Sequence, residues 1–595
     1  MEYKRREDVE KEYTWDLTDR FKNYEEWKKE YKSLKKDIHK ITEFNDKILD
    51  SETTFYNTLE TYYDLETRCS KLYVYAFLKY DENLFSEENS LHLNEILSLY
   101  SEFITLSSFI CPEILRGKKS LINKYLKDKK LAKYKFTISN ILRGKEHSLS
   151  KNEELIFSKL TASTSVFDKI SSMLTDSTLN YGTLKVDGEM VTLTNNNYRH
   201  IMTNRNRKTR KECYNLLTNK LKEFSNIFAE LLITNMKSVS TMANIKNFSS
   251  TLDMQLFSSN IPKEVIDNLY KVVHKRLDVF GSYLQLLKEN IGLETLEFYD
   301  LQTEFLPSTL TFSIEDAQML IIEATKIYGE EYNNIIKKAF TDRWIDYGSY
   351  KGKKSGAYSI SNYPDSPKVL TSFHGKFTDV STIAHELGHA VNFYLSEKNN
   401  DKHNYQNDIF VAEVASLTNE IILSSYIFHH CTDKNLKLTA IYNLIDILQN
   451  NIFDACLEGE LENKMYELID HKEEIDVNTL SNCIYDLRNQ YYQNHVKLDE
   501  NVKYLWARRS HYYSPFYLFQ YATGASVATY IATKILNGDE KMKKDYIKFL
   551  SSGDTDYGIN LLKNIGIDMT KKEVYNNAID YFKYLIDEFN KVSEE

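Results

Sequence analysis

The sequence predicts a mainly α-helical protein. Its 595 residues include only 18 glycines and 6 prolines, so residues that interrupt helices are scarce. Apolar residues recur over long stretches with the 3.6-residue period of amphipathic helices. The 44 tyrosines and 30 phenylalanines supply enough apolar surface for a large core. Together these features favour a large helical protein with few strands.

The first part of the chain, up to about residue 180, consists of successive amphipathic patterns. We expect helices there, for example over 23–38 and 64–79. A β-hairpin should follow, because Asp187-Gly188 lies between two short β-prone runs. Helical patterns then resume from about Thr209 to Tyr328.

A second irregular stretch covers 347–377 and contains an apolar strand candidate at 369–373. An exposed strand can pair with an extended peptide through main-chain hydrogen bonds. This candidate comes just before the helix that carries the motif described below, so it can pair with an extended chain bound beside that helix. Helical patterns fill the remainder of the chain.

The composition excludes several classes of function. The net charge of −10 is spread along the chain, which gives no support for nucleic-acid binding. The six cysteines are dispersed and none has C-x-x-C spacing, so a disulfide framework is not indicated. The chain has no apolar run of about 18 residues, and its first residues lack the apolar core of a signal peptide. We therefore expect a cytoplasmic protein without a membrane partner.

The run His385-Glu386-Leu387-Gly388-His389 is an H-E-x-x-H motif. On a helix, residues i and i+4 share one face, so the two imidazoles can bind one Zn²⁺ while the glutamate faces the attacking water. The alternative is a helix with two surface histidines. Thr378, Asp379 and Ser381 precede the motif and supply N-cap chemistry for such a helix. A glycine at 388 would let another backbone approach closely.

A catalytic zinc needs three protein ligands. Asn392 and Leu395 stand where a metzincin would have the glycine and third histidine, so that extension is absent. His374, His403 and the acidic residues downstream remain as candidates for the third ligand.

Glu413 is the strongest of these candidates. It lies in a largely apolar helical segment, 409–420, where a carboxylate is costly unless it is paired or binds a metal. The alternative is a surface glutamate. Glu420 falls on the same face two turns later and could hydrogen-bond a ligand histidine, although an unrelated surface position is an equal alternative.

An aromatic segment at 508–524 places His511 and four tyrosines around Pro515. Imidazole N–H and tyrosine O–H groups can stabilise the oxyanion that forms when a peptide bond is attacked. The alternative is a core aromatic cluster.

These pieces together resemble the oligoendopeptidase F group of the thimet-type (M3) zinc metallopeptidases. Asn392 is a departure, because relatives often have histidine there. The matching pieces span nearly the whole chain: 14–17, 354–359, 377–380 leading into the motif, 411–416, 419–420 and 520–524.

The resemblance implies a large two-lobed helical clamshell with a small β-sheet or hairpin beside the zinc-binding helix and a deep central channel. It implies an N-terminal helical lobe at 1–200 and a catalytic region at 201–595. It also implies one Zn²⁺ per chain, with His385, His389 and Glu413 as its ligands and Glu386 as the base. By the same resemblance, His511, Tyr521 and Tyr517 lie near the substrate. Gly356, Ala357 and Tyr358 are the expected substrate-binding residues.

The sequence therefore predicts a zinc-dependent oligoendopeptidase that hydrolyses internal bonds of short unstructured peptides. One alternative is a metallocarboxypeptidase on a related helical scaffold, which would release single C-terminal residues. Another is a non-catalytic zinc-containing peptide-binding protein, which would have no need of the base Glu386. Short peptides are the expected partners, without nucleic acid, and no oligomeric state is predicted.

Overall fold

The structure, a computed structural model, describes residues 2–150, 153–154, 156–157, 166–306 and 310–595. Helices dominate the described residues, so the predicted mainly α class is confirmed. Among these helices, none combines the length and the apolar character that a membrane span requires. In chain order the α-helices are Tyr24–Asp37, Glu52–Glu82, Glu87–Ser107, Ile110–Arg116, Lys119–Tyr125, Lys135–Arg143, Val166–Met173, Asn195–Met202, Arg207–Glu223, Ser225–Ile245, Thr251–Ser258, Glu264–Lys275, Leu277–Asn290, Ile314–Thr325, Glu330–Thr341, Phe377–Asn399, Ala412–His430, Lys434–Leu448, Ala455–Asp470, Val477–Tyr492, Leu518–Leu536, Glu540–Leu550, Gly558–Asn564 and Glu573–Glu594.

The strands are short and form small sheets. Three two-stranded sheets pair Glu2–Tyr3 with Ser349–Tyr350, Thr183–Val186 with Glu189–Thr192, and Leu296–Glu297 with Val496–Lys497. A three-stranded sheet has Lys368–Leu370 in the centre, with Ile345–Asp346 parallel to it on one side and Tyr358–Ile360 antiparallel on the other.

The chain divides into two units, each assembled from separate stretches of sequence. The first unit contains Met1–Ser148, Thr309–Ile427 and Ile531–Ile567. The second contains Leu149–Ser308, Phe428–Tyr530 and Asp568–Glu595. The predicted lobes at 1–200 and 201–595 follow chain order rather than spatial contact, and they stay a prediction.

Two local predictions from sequence are confirmed. The helix expected at 23–38 is present, and the Asn23 side chain caps it by accepting the Glu26 N–H. The hairpin is also present, with Asp187 and Gly188 at φ of 49° and 98°. Positive φ at both central residues is the geometry of the tight turn that matches the twist of a two-stranded ribbon.

A buried lysine ties together the strands of the first unit. Lys353 donates to the main-chain carbonyls of Asp346, Gly348 and Thr371 at 3.1, 2.6 and 2.6 Å, and its ammonium lies 2.7 Å from the Asp346 carboxylate. Both side chains are nearly inaccessible to water. A buried charge with this many partners fixes the geometry around it, because any displacement would leave the charge unpaired. Lys353 thus anchors the start of the segment that leads to Tyr358–Ile360.

A buried carboxylate has the corresponding role in the second unit. Asp300 is fully buried and accepts from Arg210 at 2.6 Å, from Arg207 at 2.7 Å and from the Glu297 N–H at 2.9 Å. These bonds join the first turn of helix Arg207–Glu223 to the segment that follows strand Leu296–Glu297.

Candidate metal centre

The H-E-x-x-H sequence lies within the helix Phe377–Asn399, called here the motif helix. The N-cap predicted at Thr378, Asp379 or Ser381 is wrong, because the helix begins at Phe377 and Lys376 is its N-cap. Asp379 still caps this end from inside the first turn, since its carboxylate accepts the N–H groups of Lys376 and His374 at 2.9 and 2.8 Å. The sequence thus indicates that polar groups begin this helix, but it does not indicate which residue is the N-cap.

Gly388 brings a second helix into backbone contact with the motif helix. This second helix, Ala412–His430, is called here the Glu413 helix. A Cβ atom at Gly388 would lie 2.6 Å from the Ala415 carbonyl oxygen and 2.7 Å from the Ser416 Cα. Real Cβ atoms do not approach backbone that closely, so only glycine permits this contact. The expectation that Gly388 admits another backbone is confirmed.

The contact places three metal-binding side chains together. His385 and His389 each lie with Nε2 close to Oε2 of Glu413, at 3.5 and 3.7 Å. One ligand atom from each of the three residues lies within 4.8 Å of the others, and no other such group occurs among the described residues. The cluster therefore unites the two histidines of the motif with the predicted third candidate. His374 and His403 are not part of it.

The donor set fits a tetrahedral zinc ion. Zinc binds imidazole nitrogen and carboxylate oxygen at about 2.0–2.1 Å, so donors at tetrahedral angles lie about 3.3–3.4 Å apart. The two nitrogen-to-oxygen separations at Glu413 are only slightly longer than this. Three protein ligands also leave one tetrahedral position open, as hydrolytic chemistry requires.

Neighbouring groups orient these donors. Glu420 lies with Oε1 3.1 Å from Nδ1 of His385, so Nδ1–H donates to this carboxylate and Nε2 keeps its lone pair for a metal. Ser416 donates its hydroxyl to Oε2 of Glu413 at 2.9 Å. The predicted position of Glu420 beside a motif histidine therefore agrees with the geometry.

Burial and charge perturb the histidines in opposite directions. Burial alone would lower the pKa of His385, but the hydrogen bond and the negative charge of Glu420 raise it above its usual value. Burial and the positive charge of His385 lower the pKa of His389.

Glu386, the acid of the motif, is buried within the motif helix. It is only 6% exposed. Burial raises the pKa of its carboxyl to about 7; the charge of His385 opposes this shift, and the carboxylates of Glu413 and Glu420 reinforce it. A carboxyl group with a pKa near neutrality can both accept and return a proton.

Two asparagines that sequence reasoning did not assign hold the two helices in place. Asn419 donates to the Ala384 carbonyl at 3.1 Å and accepts from the Tyr332 hydroxyl at 2.7 Å. Asn392 donates to the Leu550 carbonyl at 2.9 Å and accepts from Asn407 at 3.0 Å, in the loop that leads to the Glu413 helix. The available signal was a buried amide in an apolar helix, which must find partners.

The strand expected to contact substrate is the wrong one. Lys368–Leu370, inside the candidate 369–373, has strand neighbours on both sides and is buried, so its main chain cannot pair with a peptide. Tyr358–Ile360 is an edge strand that packs against the motif helix. The physical reason is that an apolar run predicts burial, and a fully buried strand belongs in the centre of a sheet.

The residues predicted to bind substrate precede or begin this edge strand. Gly356 has a φ of +91°, and a Cβ atom placed there would meet nothing within 4 Å. Ala357 follows it, half-buried. The Tyr358 hydroxyl donates to Asp81 at 2.8 Å, so this side chain is tied into the first unit.

The aromatic residues of the C-terminal segment group together within the second unit. The His511 ring centroid lies 6.5 Å from Tyr517 and 5.9 Å from Tyr521, and the two tyrosine rings are 5.1 Å apart. Among the described residues, neither the His511 ring nor the Tyr517 hydroxyl forms a hydrogen bond within the protein. Burial and the positive charge of Arg509 lower the pKa of His511, which favours the neutral form of its imidazole.

Comparison with known proteins identifies the family. The model of peptidase family M3 matches residues 200–581, and the model described as Oligopeptidase F matches residues 113–181. The chain belongs to peptidase family M3. It is therefore a peptidase, and the resemblance stated from its sequence is confirmed.

Relatives of this M3 peptidase extend over its full length. An oligoendopeptidase F homolog of Borreliella burgdorferi is 31% identical and aligns over 99% of both chains. The crystal structure of oligoendopeptidase-F from Enterococcus faecium aligns with a TM-score of 0.75 and 26% identity, over 96% of this chain and 99% of the other. A crystal structure from Chlamydophila abortus aligns with a TM-score of 0.90 and 28% identity, over 99% and 100%.

Gly388→Ala should destabilise this M3 peptidase and weaken its metal binding. The added methyl would collide with the backbone at Ala415 and Ser416, and overpacking of this kind costs about 1–3 kcal/mol. Thermal unfolding and zinc titration measure the two effects. Gly144→Ala is the matched control, because a Cβ there meets nothing within 4 Å. Equal stability and zinc affinity for both variants would contradict the backbone contact.

Proposed function

We propose that this M3 peptidase is a zinc-dependent oligoendopeptidase that cleaves internal bonds of short unstructured peptides. The observation that carries the proposal is the convergence of His385, His389 and Glu413, with Glu386 beside them on the motif helix. One zinc ion per chain is the metal that this donor set fits best, since two imidazoles and one carboxylate are ligands typical of zinc hydrolases.

Zinc bound by these three side chains would supply the Lewis acidity that activates water and polarises the scissile carbonyl. Glu386 performs the proton transfers: its carboxylate takes a proton from the attacking water and returns it to the leaving amine nitrogen. Glu420 keeps His385 in the tautomer that presents Nε2. No covalent acyl-enzyme forms, because water is the nucleophile.

His511, Tyr521 and Tyr517 are proposed to donate hydrogen bonds to the substrate. A neutral imidazole retains one N–H donor, and tyrosine O–H groups remain protonated at neutral pH. Such donors stabilise the negative charge that develops on the carbonyl oxygen in the transition state. Their mutual packing supports a shared role, and the family resemblance supports this particular one.

The edge strand Tyr358–Ile360 is proposed to bind the substrate main chain. It has a strand neighbour on one side only among the described residues, and it lies against the motif helix. Gly356 and Ala357 immediately precede this strand; Gly356 is exposed and Ala357 is half-buried. A peptide must be extended to pair with a strand edge, which favours unstructured substrates.

A metallocarboxypeptidase remains the second candidate, because the same donor set would serve it. The names of the full-length relatives favour the endopeptidase. A cytoplasmic location and the absence of nucleic-acid partners are part of the proposal, and the net charge of −10 supports the second of these.

The first test concerns the metal. Purified protein should contain about one zinc per chain; chelation should abolish peptide cleavage, and added Zn²⁺ should restore it. Glu413→Gln should lose zinc, and Glu420→Gln should bind it about 10- to 100-fold more weakly. Elemental analysis and zinc titration give both results. Full activity of metal-free protein would remove the proposal.

The second test concerns the base. Glu386→Gln should keep zinc and fold, yet kcat should fall by about three orders of magnitude, because both proton transfers pass through this carboxylate. Glu331→Gln, an exposed position in the same unit, is the control and should behave as wild type. Turnover of the Glu386 variant close to wild type would show that another group is the base.

The third test concerns substrate size. A ladder of unstructured peptides should show cleavage at internal bonds for lengths of roughly 5 to 20 residues, the range implied by the family resemblance and by binding of an extended segment to the edge strand. A folded domain should resist, since local unfolding would cost up to about 5–15 kcal/mol. Amidation of the peptide C-terminus should have little effect.

Mass spectrometry of the products separates the alternatives. Stepwise loss of single C-terminal residues, blocked by amidation, would favour the carboxypeptidase. Efficient digestion of long casein chains would contradict the size limit.

A further inference from the structure

The loop that carries His511 and Tyr517 contains a strained residue. Phe516 has a φ of +55°, a left-handed conformation that bulky side chains rarely adopt. Its ring is buried and stacks on Tyr466 with a centroid distance of 4.9 Å. Such a conformation persists only where surrounding contacts over-determine it. The contacts that hold Phe516 therefore set the direction in which the chain enters Tyr517.

One of these contacts is a buried carboxyl group. Glu462 is 1% exposed, and its Oε1 accepts the Phe516 N–H at 2.7 Å. This is the main-chain donor of the strained residue itself. Without an acceptor it would be a buried unsatisfied N–H, which native structures rarely contain.

Glu462 lies in the helix Ala455–Asp470, and a second carboxylate of that helix, Glu458, holds the other end of the loop. Glu458 accepts a hydrogen bond from the hydroxyl of Tyr512, the residue that follows His511. Arg488 lies 3.2 Å from Glu458 and donates to the Val502 carbonyl at 2.5 Å, so the Glu458 carboxylate is itself fixed. Tyr512 is only 1% exposed.

The two carboxyl groups share one face of the helix Ala455–Asp470, because they are four residues apart. Gly459 lies between them and permits close packing there: a Cβ at this position would lie 2.8 Å from the Tyr270 hydroxyl and 3.8 Å from the Leu518 Cβ. Leu518 begins the helix that carries Tyr521. The same helix face thus contacts both the loop and the start of the next helix.

We propose that Glu458 and Glu462 are positioning residues for His511, Tyr517 and Tyr521. They fasten residues 510–517 at two points to the helix Ala455–Asp470 and so hold the oxyanion donors in one arrangement. This rests on the proposed function, because it assigns these two acids a role only if the aromatic group acts on the substrate. Donors that act in the transition state must be held to within a fraction of an ångström, and misplacement by about 1 Å can cost 100-fold in rate.

The environments of the two acids differ, and this sharpens the test. Burial raises the pKa of Glu462 to about 8, opposed by the Phe516 hydrogen bond, so its carboxyl is largely neutral at pH 7. Burial also opposes ionisation of Glu458, but Arg488 lowers its pKa below the usual value. Glutamine is therefore a close substitute at 462, because it keeps a neutral acceptor oxygen in the same place.

The experiment compares Glu462→Gln with Glu462→Met, which keeps the length of the side chain and removes the acceptor. Kinetics on an internally quenched peptide should show kcat of the methionine variant lowered by about 100-fold with KM within about twofold of wild type. The glutamine variant should stay within about threefold of wild type. Glu467→Ala, exposed on the same helix, is the control and should be unchanged.

Hydrogen exchange of the zinc-loaded protein gives a readout that does not need activity. Peptides covering 510–521 should exchange faster in Glu462→Met and at the wild-type rate in Glu462→Gln. If the wild type cleaves no peptide, the proposed function fails, while exchange still tests the two attachments. If Glu462→Met does not fold, Tyr512→Phe provides the same comparison at the other attachment.

Three results would overturn the inference. Equal kcat for the methionine and glutamine variants would show that the acceptor does not position the loop. A loss confined to KM would make the loop a binding element only. Faster exchange over 510–521 with unchanged kcat would show that the attachment is structural and does not serve the reaction.

Discussion

At Gly388 the motif helix touches the backbone of the Glu413 helix at Ala415 and Ser416. The position of every group in the metal centre follows from this contact. His385 and His389 lie on either side of Gly388 in the sequence of the motif helix. Glu413 lies about one turn before Ser416 in the Glu413 helix. A larger residue would separate the helices and move the carboxylate away from both histidines. Asn419, donating to the Ala384 carbonyl, fixes the relative rotation of the same pair of helices.

The centre gathers several acidic groups that are buried or only partly exposed. Glu386, Glu413 and Glu420 lie around two histidines, and carboxylates this close together repel one another. A divalent cation bound by the histidines and Glu413 would offset this repulsion. Without such a partner, burying several carboxylates together would be costly. The hydrogen bonds from Ser416 to Glu413 and from His385 to Glu420 then give each acid a distinct task. Glu386 takes part in neither of these hydrogen bonds, which fits its proposed role as the base.

The sequence was informative where function depends on local spacing. The four-residue interval between His385 and His389 predicted the helix face, and the apolar surroundings of Glu413 singled out that carboxylate. Contacts between distant segments were beyond this reasoning. Periodicity could not tell that 369–373 would supply a central strand, nor that Glu462 and Phe516 would meet, because each depends on which elements become neighbours. The 3.6-residue period predicts which face of a helix a side chain lies on, but it does not predict which other element that face contacts.

X-ray absorption at the zinc edge reports which atoms bind the metal and so tests the three assigned ligands. We expect nitrogen and oxygen donors at about 2.0–2.1 Å, with the multiple scattering of two imidazoles and no sulfur. His389→Ala, if it retains zinc, should show one imidazole. Thiolate donors at about 2.3 Å, or an unchanged imidazole count in that variant, would contradict the assignment of His385, His389 and Glu413 as the metal ligands.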